Sequence, residues 1–315
     1  MTKIDLITGF LGAGKTTFLK KYAKYLINKG EKICVLENDF GAINVDMVLL
    51  NEIAGDNCNL EMIVGGDGAE AHKRRLKTKL IAMGMSGYDR VIIEPSGIFD
   101  PDELFDTLYE EPLDRWYEMN NIICILDAET EDNISKASRY MLMSEAVSAG
   151  KIIISKINDE NTYKKGKIVD LLNKTIEEFA CNRKIDEKDI IAKAWDNLRD
   201  KDFDLIARAG YRKAEYVKRA FENADAYQTL FYFDFDMPIN ELEKAVKMIF
   251  GDQKCGNVLR IKGFIDTGGI KKTEINATRT KLMIGESETE RAVLIVIGEA
   301  LNKDRLKKYI GEPSI

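Results

Sequence analysis

The stretch ITGFLGAGKTT, residues 7–17, decides the fold of this chain. It fits the pattern GxxxxGK[ST], with Gly9, Gly14, Lys15 and Thr16 at the fixed positions. A strand-like apolar run precedes the glycines and a helical pattern follows them, which is the context that a phosphate-binding loop requires. In such a loop the backbone N–H groups turn inward around phosphate oxygens, and the helix N-terminus adds its positive dipole end.

The side chains of this loop have separate tasks in the predicted site. Lys15 should reach the β- and γ-phosphates of a nucleoside triphosphate, and the Thr16 hydroxyl should bind Mg²⁺. The loop residues expected to contact the nucleotide are Gly12, Ala13, Gly14, Lys15, Thr16 and Thr17. A chance Gly-rich turn is the alternative, and the combination of spacing and context argues against it.

Outward from the loop, short apolar runs alternate with longer helical patterns. The strand-like runs cover 3–9, 32–38, 90–96, 121–128 and 151–157, and the helical patterns cover 15–29, 68–83, 102–110, 134–147 and 162–180. The apolar runs are continuous, as in parallel strands buried on both faces. The pattern therefore predicts an α/β fold, a doubly wound and mostly parallel sheet with helices on both faces.

The chain changes character after these elements. Residues 182–225 are charged, with a helical pattern and no strand signal, and predict a helical linker region. Further on, strand patterns cover 227–235, 256–265, 273–284 and 291–298, and helical patterns cover 239–250 and 302–310. The order β-α-β-β-β-α predicts a small α+β domain. We therefore expect a nucleotide-binding domain at 1–181, the linker at 182–225 and the second domain at 226–315.

Composition limits the classes of protein to which the chain can belong. Its formal net charge of −6 argues against a nucleic-acid binder, which would carry a basic patch or stripe. The cysteines stand at positions 34, 58, 124, 181 and 255, and none forms a CxxC pair. This dispersed set indicates a reducing compartment. No apolar run approaches the roughly 18 residues of a transmembrane helix, and no signal-peptide pattern opens the chain, so we expect a cytoplasmic protein that does not enter a membrane.

The stretch IIEPSGIFDP, residues 92–101, follows a predicted strand. If its end lies beside the phosphate-binding loop, Glu94 could hold the Mg²⁺ shell or orient a water, and the Gly97 amide could sense a γ-phosphate. The alternative is a strand that ends in a simple Pro-Ser-Gly turn.

The stretch LENDFGAINVD, residues 36–46, carries three acids near Gly41. In a nucleotide hydrolase a switch loop at this place would meet the metal and the γ-phosphate, and Asp39 is the best candidate. A solvated acidic turn is the alternative. The predicted catalytic residues are Lys15, Glu94 and Asp39, and the predicted Mg²⁺ ligands are Thr16, Asp39 and Glu94.

The stretch IIISKINDE, residues 152–160, is close to the guanine-reading pattern [NS]KxD. Ser155 and Lys156 are in place, but Asn158 stands where the acid should be and Asp159 follows one residue late. An Asn would leave a buried donor opposite the donors of guanine, which costs about 1–3 kcal/mol. Either the loop shifts so that Asp159 accepts the hydrogen bonds from guanine, or the site discriminates less strictly between bases. GTP is therefore the expected substrate, with ATP as the alternative.

Taken together, these four stretches resemble the CobW-like GTPases, which are relatives of the HypB and UreG metal-insertion GTPases. The matching pieces are GFLGAGKTT, NDFG (usually NEFG in the family), EPSGIFDP and SEAVSAGKIIISKIND. The second predicted domain is similar to the CobW C-terminal module, chiefly in VLRIKGFI and RAVLIVIG, so the resemblance spans nearly the whole chain. It implies a P-loop GTPase that loads or guards a metal or a metal-containing cofactor.

The resemblance also implies a metal site on a CxCC motif just before a helix, which should fall at VGGDGAEAH, residues 64–72. The three cysteine positions read Gly66, Gly68 and Ala69 here, so the thiolates that bind Zn²⁺ or Cu⁺ strongly are missing. Ala42 likewise stands where the family often has an acid after NEFG.

Two interpretations of this stretch stay open. A substitute site could be built from Asp67, Glu70 and His72, with Asp39 or Cys58 nearby. Such nitrogen and oxygen ligands would make a harder and weaker site. Alternatively, the segment keeps its turn and helix start without a metal, and His72, the only histidine, is a solvated side chain next to a basic run.

These observations favour a GTP-hydrolysing switch that assists metal or metallocofactor delivery to a client enzyme, or the maturation or reactivation of that enzyme. The switch need not carry free metal itself. Its expected partner is a client metalloenzyme or cofactor-dependent protein, and a homodimer is one option for its assembly. A small-molecule kinase that uses ATP or GTP is the first alternative, because the same loop serves phosphoryl transfer. A binding module that keeps nucleotide as a structural ligand is the second.

Overall fold

The computed structural model describes residues 1–39, 50–64, 69–97, 101–132, 134–158, 160–216, 227–269, 271–287, 289 and 292–314, without the side chains of 39, 64, 69 and 70. The chain groups into two compact units, Met1–Lys218 and Arg219–Ile315. The three-part division proposed from the sequence stays a prediction. Within the described ranges, no helix is long and apolar enough to cross a membrane.

The first unit is built on one sheet of seven parallel strands. The strands are β1 Thr2–Thr8, β2 Ile33–Asp39, β3 Cys58–Val64, β4 Arg90–Pro95, β5 Tyr117–Asp127, β6 Lys151–Ser155 and β7 Ile190–Ala192. Their order is β3-β2-β4-β1-β5-β6-β7, and every pair is parallel. The carboxyl ends of the strands therefore meet at one edge of the sheet, where ligands bind in open α/β folds.

Helices lie on both faces of this sheet. They are α1 Lys15–Asn28, α2 Ala69–Gly84, α3 Pro101–Leu108, α4 Leu113–Trp116, α5 Lys136–Val147, α6 Lys164–Glu178 and α7 Asp200–Ile206. Tyr22 of α1 donates to Oδ2 of Asp5 at 2.6 Å, whereas Thr8 donates to the carbonyl oxygen of Glu145 in α5 at 3.0 Å. Asp5 and Thr8 point to opposite faces of β1, because side chains alternate along a strand. The predicted fold class is thus confirmed.

Two strands of this sheet escaped the sequence analysis. β3 lies at the edge, and polar residues such as Asn59 and Glu61 interrupt its apolar run. β7 has three residues, too few to show a period, and it pairs with β6 inside the range predicted to be helical and without a strand. The expectation that 182–225 contains no strand is therefore wrong.

The second unit has an antiparallel sheet of five strands. They are β8 Gln228–Phe233, β9 Asn257–Ile265, β10 Lys272–Ala277, β11 Leu282–Ser287 and β12 Val293–Glu299, in the order β11-β10-β9-β12-β8. Helices α8 Ile239–Gly251 and α9 Lys303–Ile310 contribute to its apolar core. The single strand predicted over 273–284 is a hairpin, because Thr278 N donates to Lys281 O at 2.8 Å and turns the chain.

Candidate nucleotide-binding site

The loop between β1 and α1 has the geometry of a phosphate-binding loop. Gly14 precedes the first residue of α1 with φ 97°, a conformation that side chains other than glycine rarely adopt. At Gly9, φ is 142° and an added Cβ would lie 2.3 Å from the carbonyl oxygen of Ile125 in β5. Lys15 is buried, and its Nζ donates to the Gly9 carbonyl at 2.8 Å. The lysine side chain is therefore held by a hydrogen bond to the backbone of its own loop.

Two buried carboxylates lie under the first turn of α1. Thr16 donates through Oγ1 to Oε1 of Glu94 at 2.9 Å. Glu37 pairs with Glu94 in the register of β2 and β4, so both side chains point to the same face. Residues two positions earlier in each strand, Val35 and Ile92, pack in the same core as α1, which shows that this face is the one that α1 covers. Glu37 and Glu94 are both buried.

Gly97 lies against the phosphate-binding loop. A Cβ added at Gly97 would meet the backbone nitrogen of Leu11 at 2.7 Å. The preceding Ser96 donates through its backbone N–H to the carbonyl oxygen of Asn38 at 2.9 Å. The turn after β4 is thus held between β2 and the loop, and the structure places Gly97 close to where phosphate should bind.

The stretch that is close to the guanine-reading pattern, residues 152–160, also approaches the phosphate-binding loop. A Cβ added at Gly14 would lie 3.8 Å from Cβ of Ser155, and Ser155 donates to the carbonyl oxygen of Leu126 at 3.1 Å. Lys156 forms an ion pair with Asp127 at the end of β5. Ser155 and Lys156 are therefore brought to the same edge as the loop.

Asn158 is committed to a local turn. Its Oδ1 accepts hydrogen bonds from the backbone N–H groups of Glu160 and Asn161, both at 3.0 Å. The amide oxygen is thus used by the chain itself, and the NH₂ group is the part of this side chain left for a base. Asp159 lies outside the described residues, so its predicted role is untested.

Sequence analysis missed Trp195, which stands three residues after β7. Its Cζ2 would lie 3.6 Å from a Cβ at Gly14, and its ring centroid lies 5.8 Å from that of Phe18 in α1. The half-buried indole is thus at the loop, on the same side as Ser155. Recognising β7 as the strand after β6 would have revealed it, since that places the next residues at the ligand-binding edge.

Three of the predicted metal ligands have side chains outside the described part of the chain. Asp39 is the last residue of β2, but its side chain lies outside the described part of the chain. The same holds for Asp67 and for the side chain of Glu70. The roles predicted for these three residues therefore stay predictions.

The structure corrects two expectations about the VGGDGAEAH stretch. His72 is 1% exposed, so it is a buried histidine and not a solvated one. Cys58 begins β3, and Val64, the first residue of the stretch, ends it, so six residues of strand, about 20 Å, separate the two. Burial also raises the pKa of Cys58 to about 11, which favours the neutral thiol. Among the described side chains, no group of three or more His, Cys, Asp or Glu could hold a metal ion.

Comparison with known proteins assigns both units to families. The family model "CobW/HypB/UreG, nucleotide-binding domain" matches residues 3–185, and "Cobalamin synthesis protein cobW C-terminal domain" matches residues 229–312. The first match alone covers more than half of the chain.

Two curated relatives and one solved structure illustrate these matches. The zinc chaperone YeiR of Escherichia coli (strain K12) is 31% identical over 163 residues, which are 51% of this chain and 48% of that protein. Zinc-regulated GTPase metalloprotein activator 1 of Schizosaccharomyces pombe is 25% identical over 159 residues, 49% of this chain and 38% of that protein. The chain thus spans less than half the length of either relative. The Zn(II)-bound YjiA GTPase from E. coli is 18% identical, with 98% and 97% of the two chains covered and a TM-score of 0.41, a likeness too distant to support an argument.

Proposed function

The chain belongs to the CobW/HypB/UreG family, and we propose from this that it is a GTP-binding and GTP-hydrolysing switch that acts on a client metalloprotein. The hydrogen bond from Thr16 to Glu94 is the observation that carries the proposal. It joins the hydroxyl expected to bind a metal to a buried carboxylate, at the start of a phosphate-binding loop helix.

The residues at this point fit Mg²⁺. A hydroxyl and a carboxylate are the hard oxygen ligands that the ion prefers, and Thr16 and Glu94 supply one of each. Mg²⁺, when bound, neutralises charge on the β- and γ-phosphates. Asp39 is the third ligand of the proposal.

The chain's own groups would then perform the hydrolysis. Lys15 turns from the Gly9 carbonyl to the phosphate oxygens, and the backbone N–H groups of residues 12–17 hold the same oxygens. Glu94 orients a water for attack on the γ-phosphorus, while the bond to the bridging oxygen breaks and GDP leaves. The turn that contains Gly97 packs on Leu11. In the proposal this turn moves when the γ-phosphate binds or leaves, and the movement communicates the nucleotide state to the rest of the chain.

The choice of GTP over ATP is supported by the family and by the S. pombe relative, which is named a GTPase metalloprotein activator. The base contact itself is not that of a strict guanine site, since Asn158 uses its oxygen in a turn. In the proposal, Trp195 stacks on the base and supplies affinity without strong selectivity, as aromatic rings do for bases in general.

The client is inferred from the relatives. One is named a zinc chaperone and the other a GTPase metalloprotein activator, and we extend the activator role to this chain. Because Gly66, Gly68 and Ala69 cannot ligate metal through their side chains, the cargo, if the chain handles any, is not held by thiolates on that loop. The chain would then work through a protein interface.

Phosphate release measured without an added acceptor tests the proposed function. The wild type is incubated with Mg²⁺ and either GTP or ATP, and free phosphate is followed over time. A switch releases phosphate slowly from GTP alone. Tight binding with no release at all would overturn the proposal in favour of a structural nucleotide site, and release that depends on a small-molecule acceptor would overturn it in favour of a kinase.

A further inference from the structure

Within the described residues, β3 has a neighbouring strand on one side only. β3 is the last strand in the order of the sheet. Asn57 accepts a hydrogen bond from Ile33 of β2, whereas Cys58 exchanges two hydrogen bonds with Gly55 on the other side. Parallel strands bond to a given neighbour at every second residue, so the N–H and C=O groups of Leu60 and Met62 point away from β2. Among the described residues, no strand pairs with this outer side.

A stripe of α2 lies along this open edge. The helix residues of the stripe are spaced as one face of an α-helix, and with the strand they line an open groove with a volume of about 760 Å³. We call it the β3–α2 groove, and its principal residues are Met62, Ala71, Arg74, Arg75, Thr78 and Lys79. Met62 is 46% exposed, so the edge presents an apolar side chain to solvent.

The charge of the groove is positive. Arg74, Arg75 and Lys79 contribute three cations to its wall, and Lys79 is paired with Glu61 at 2.8 Å. Arg74 and Arg75 are exposed. Lys73 and Lys77, which both pair with Glu110, are not part of the groove lining. The groove therefore combines an open strand edge, an apolar surface and a basic wall.

We propose that the β3–α2 groove binds an extended acidic segment of the client protein, which adds as a further strand beside β3. Open main-chain groups supply the affinity of such strand addition, and the side pockets supply its specificity. The basic wall on α2 selects carboxylates, and Met62, whose side chain points to the opposite face of β3 from α2, contacts the apolar residues that alternate with them. The partner is the client of the proposed function, and in that respect the inference rests on it.

The position of the groove suits this task. β3 leads directly into residues 65–68, and α2 begins at Ala69. This connection is the stretch at which the family resemblance places the CxCC motif. A client segment held along β3 would therefore be bound next to the stretch in which Gly66, Gly68 and Ala69 replace the three cysteines of that motif.

The test uses a defined peptide as the probe. The peptide DLEVDLE-amide, labelled with fluorescein at its N-terminus, alternates acidic and apolar residues over the seven-residue length of β3. Its binding to the full chain is followed by fluorescence polarisation, and saturable binding is expected. A peptide with Lys in place of every acid and a peptide with Pro in place of the central Val should both bind more weakly. The first lacks the charge, and the second lacks a backbone donor.

Two matched variants locate the site. Arg74→Glu reverses a cation inside the groove, and Lys174→Glu reverses an exposed cation on α6. Arg74→Glu should weaken peptide binding about tenfold or more, since like charges then face each other, whereas Lys174→Glu should not change it. Thr78→Glu, also exposed and in the groove, replaces Arg74→Glu if that variant fails to fold.

Three results would overturn the inference. The first is that the acidic peptide shows no saturable binding. The second is that Arg74→Glu and Lys174→Glu lose peptide affinity equally. The third is that the wild type sediments as a dimer and Arg74→Glu dissociates it. The last would show that a second copy occupies the edge. Phosphate release from GTP by the same preparations is measured in parallel, so loss of peptide binding with intact hydrolysis separates failure of this inference from failure of the proposed function.

Discussion

The hydroxyl of Thr16 donates a 2.9 Å hydrogen bond to Oε1 of Glu94, and so ties the first turn of α1 to the end of β4. Helix α1 carries the phosphate-binding loop, and β4 carries the turn that packs on that loop through Gly97. A change in the charge of Glu94 would therefore be felt at the nucleotide, whereas its backbone position is fixed inside the sheet.

Glu94→Gln should lower GTP turnover by about 10²–10⁴-fold and leave GTP affinity nearly unchanged. The amide keeps the shape of the side chain and an oxygen for Thr16, but it loses the charge that orients water. Phosphate release gives the turnover, and titration with a fluorescent GTP analogue gives the affinity.

Glu37→Gln is the matched control for this variant, because Glu37 is the neighbouring buried carboxylate on the same face. A smaller effect at Glu37 is expected. Unchanged turnover in Glu94→Gln would remove that residue from the mechanism, and equal losses in both variants would point to the total charge of this face.

Lys15→Ala should lose most of the affinity for both GTP and ATP, by about 100-fold or more, because charge-assisted bonds to phosphate are strong. Lys15 is the only cationic side chain between residues 9 and 17. Calorimetric titration measures the affinity, and a thermal melt checks that the loop still folds without the bond to Gly9. Wild-type affinity for both nucleotides would contradict the assignment of the loop.

Features that local backbone geometry determines could be predicted from the sequence, whereas features that depend on distant parts of the chain could not. The loop and its helix were predicted because Gly9, Gly14, Lys15 and Thr16 are fixed by local backbone geometry. β3 and β7 were missed, because an edge strand is only half buried and a three-residue strand shows no period. Trp195 was missed together with β7, and Glu37, although in a predicted strand, was not placed beside Glu94. Their places in the site depend on which strands are neighbours, and the sequence does not state the strand order.

Asn158→Asp should raise the ratio of GTP to ATP affinity by about tenfold. One carboxylate oxygen can keep the turn with Glu160 and Asn161, and the second can accept hydrogen bonds from guanine, which a site without that acceptor leaves unmade. Trp195→Ala is the companion variant. It should weaken both nucleotides alike, since stacking contributes about 1–3 kcal/mol for any base. An unchanged ratio in Asn158→Asp would show that residue 158 does not face the base.

Arg90→Met should destabilise the first unit by about 3–5 kcal/mol, the usual cost of leaving a buried charge without its partner. Arg90 donates to Asp5 at 2.6 Å and to Glu31 at 2.7 Å, and Asp5 is fully buried. Burial and, after it, the same carboxylate raise the pKa of Tyr22, so this residue stays neutral and cannot replace the lost cation.

Denaturant unfolding measures this loss. The control is Arg115→Met, because Arg115 pairs with Glu111 at the surface, where such pairs contribute less than about 1 kcal/mol. A similar small loss in both variants would show that the buried pair is not needed for stability.

Titration of the Mg²⁺–GTP form with Zn²⁺, Co²⁺ and Ni²⁺ against a chromophoric chelator should show no binding tighter than the background of an acidic surface. The three thiolate positions of the family are Gly66, Gly68 and Ala69, and His72 is buried at the start of α2. A triple variant in which Cys replaces Gly66, Gly68 and Ala69 should bind Zn²⁺ tightly, because thiolates bind this ion strongly. That variant shows that the assay detects metal on this loop. If the wild type does bind metal, the variant His72→Gln tests whether this residue is a ligand, and a thermal melt checks that the variant folds. Stoichiometric binding in the wild type that is lost in His72→Gln would mean that the stretch is a rebuilt metal site, and the chain would then carry its cargo itself.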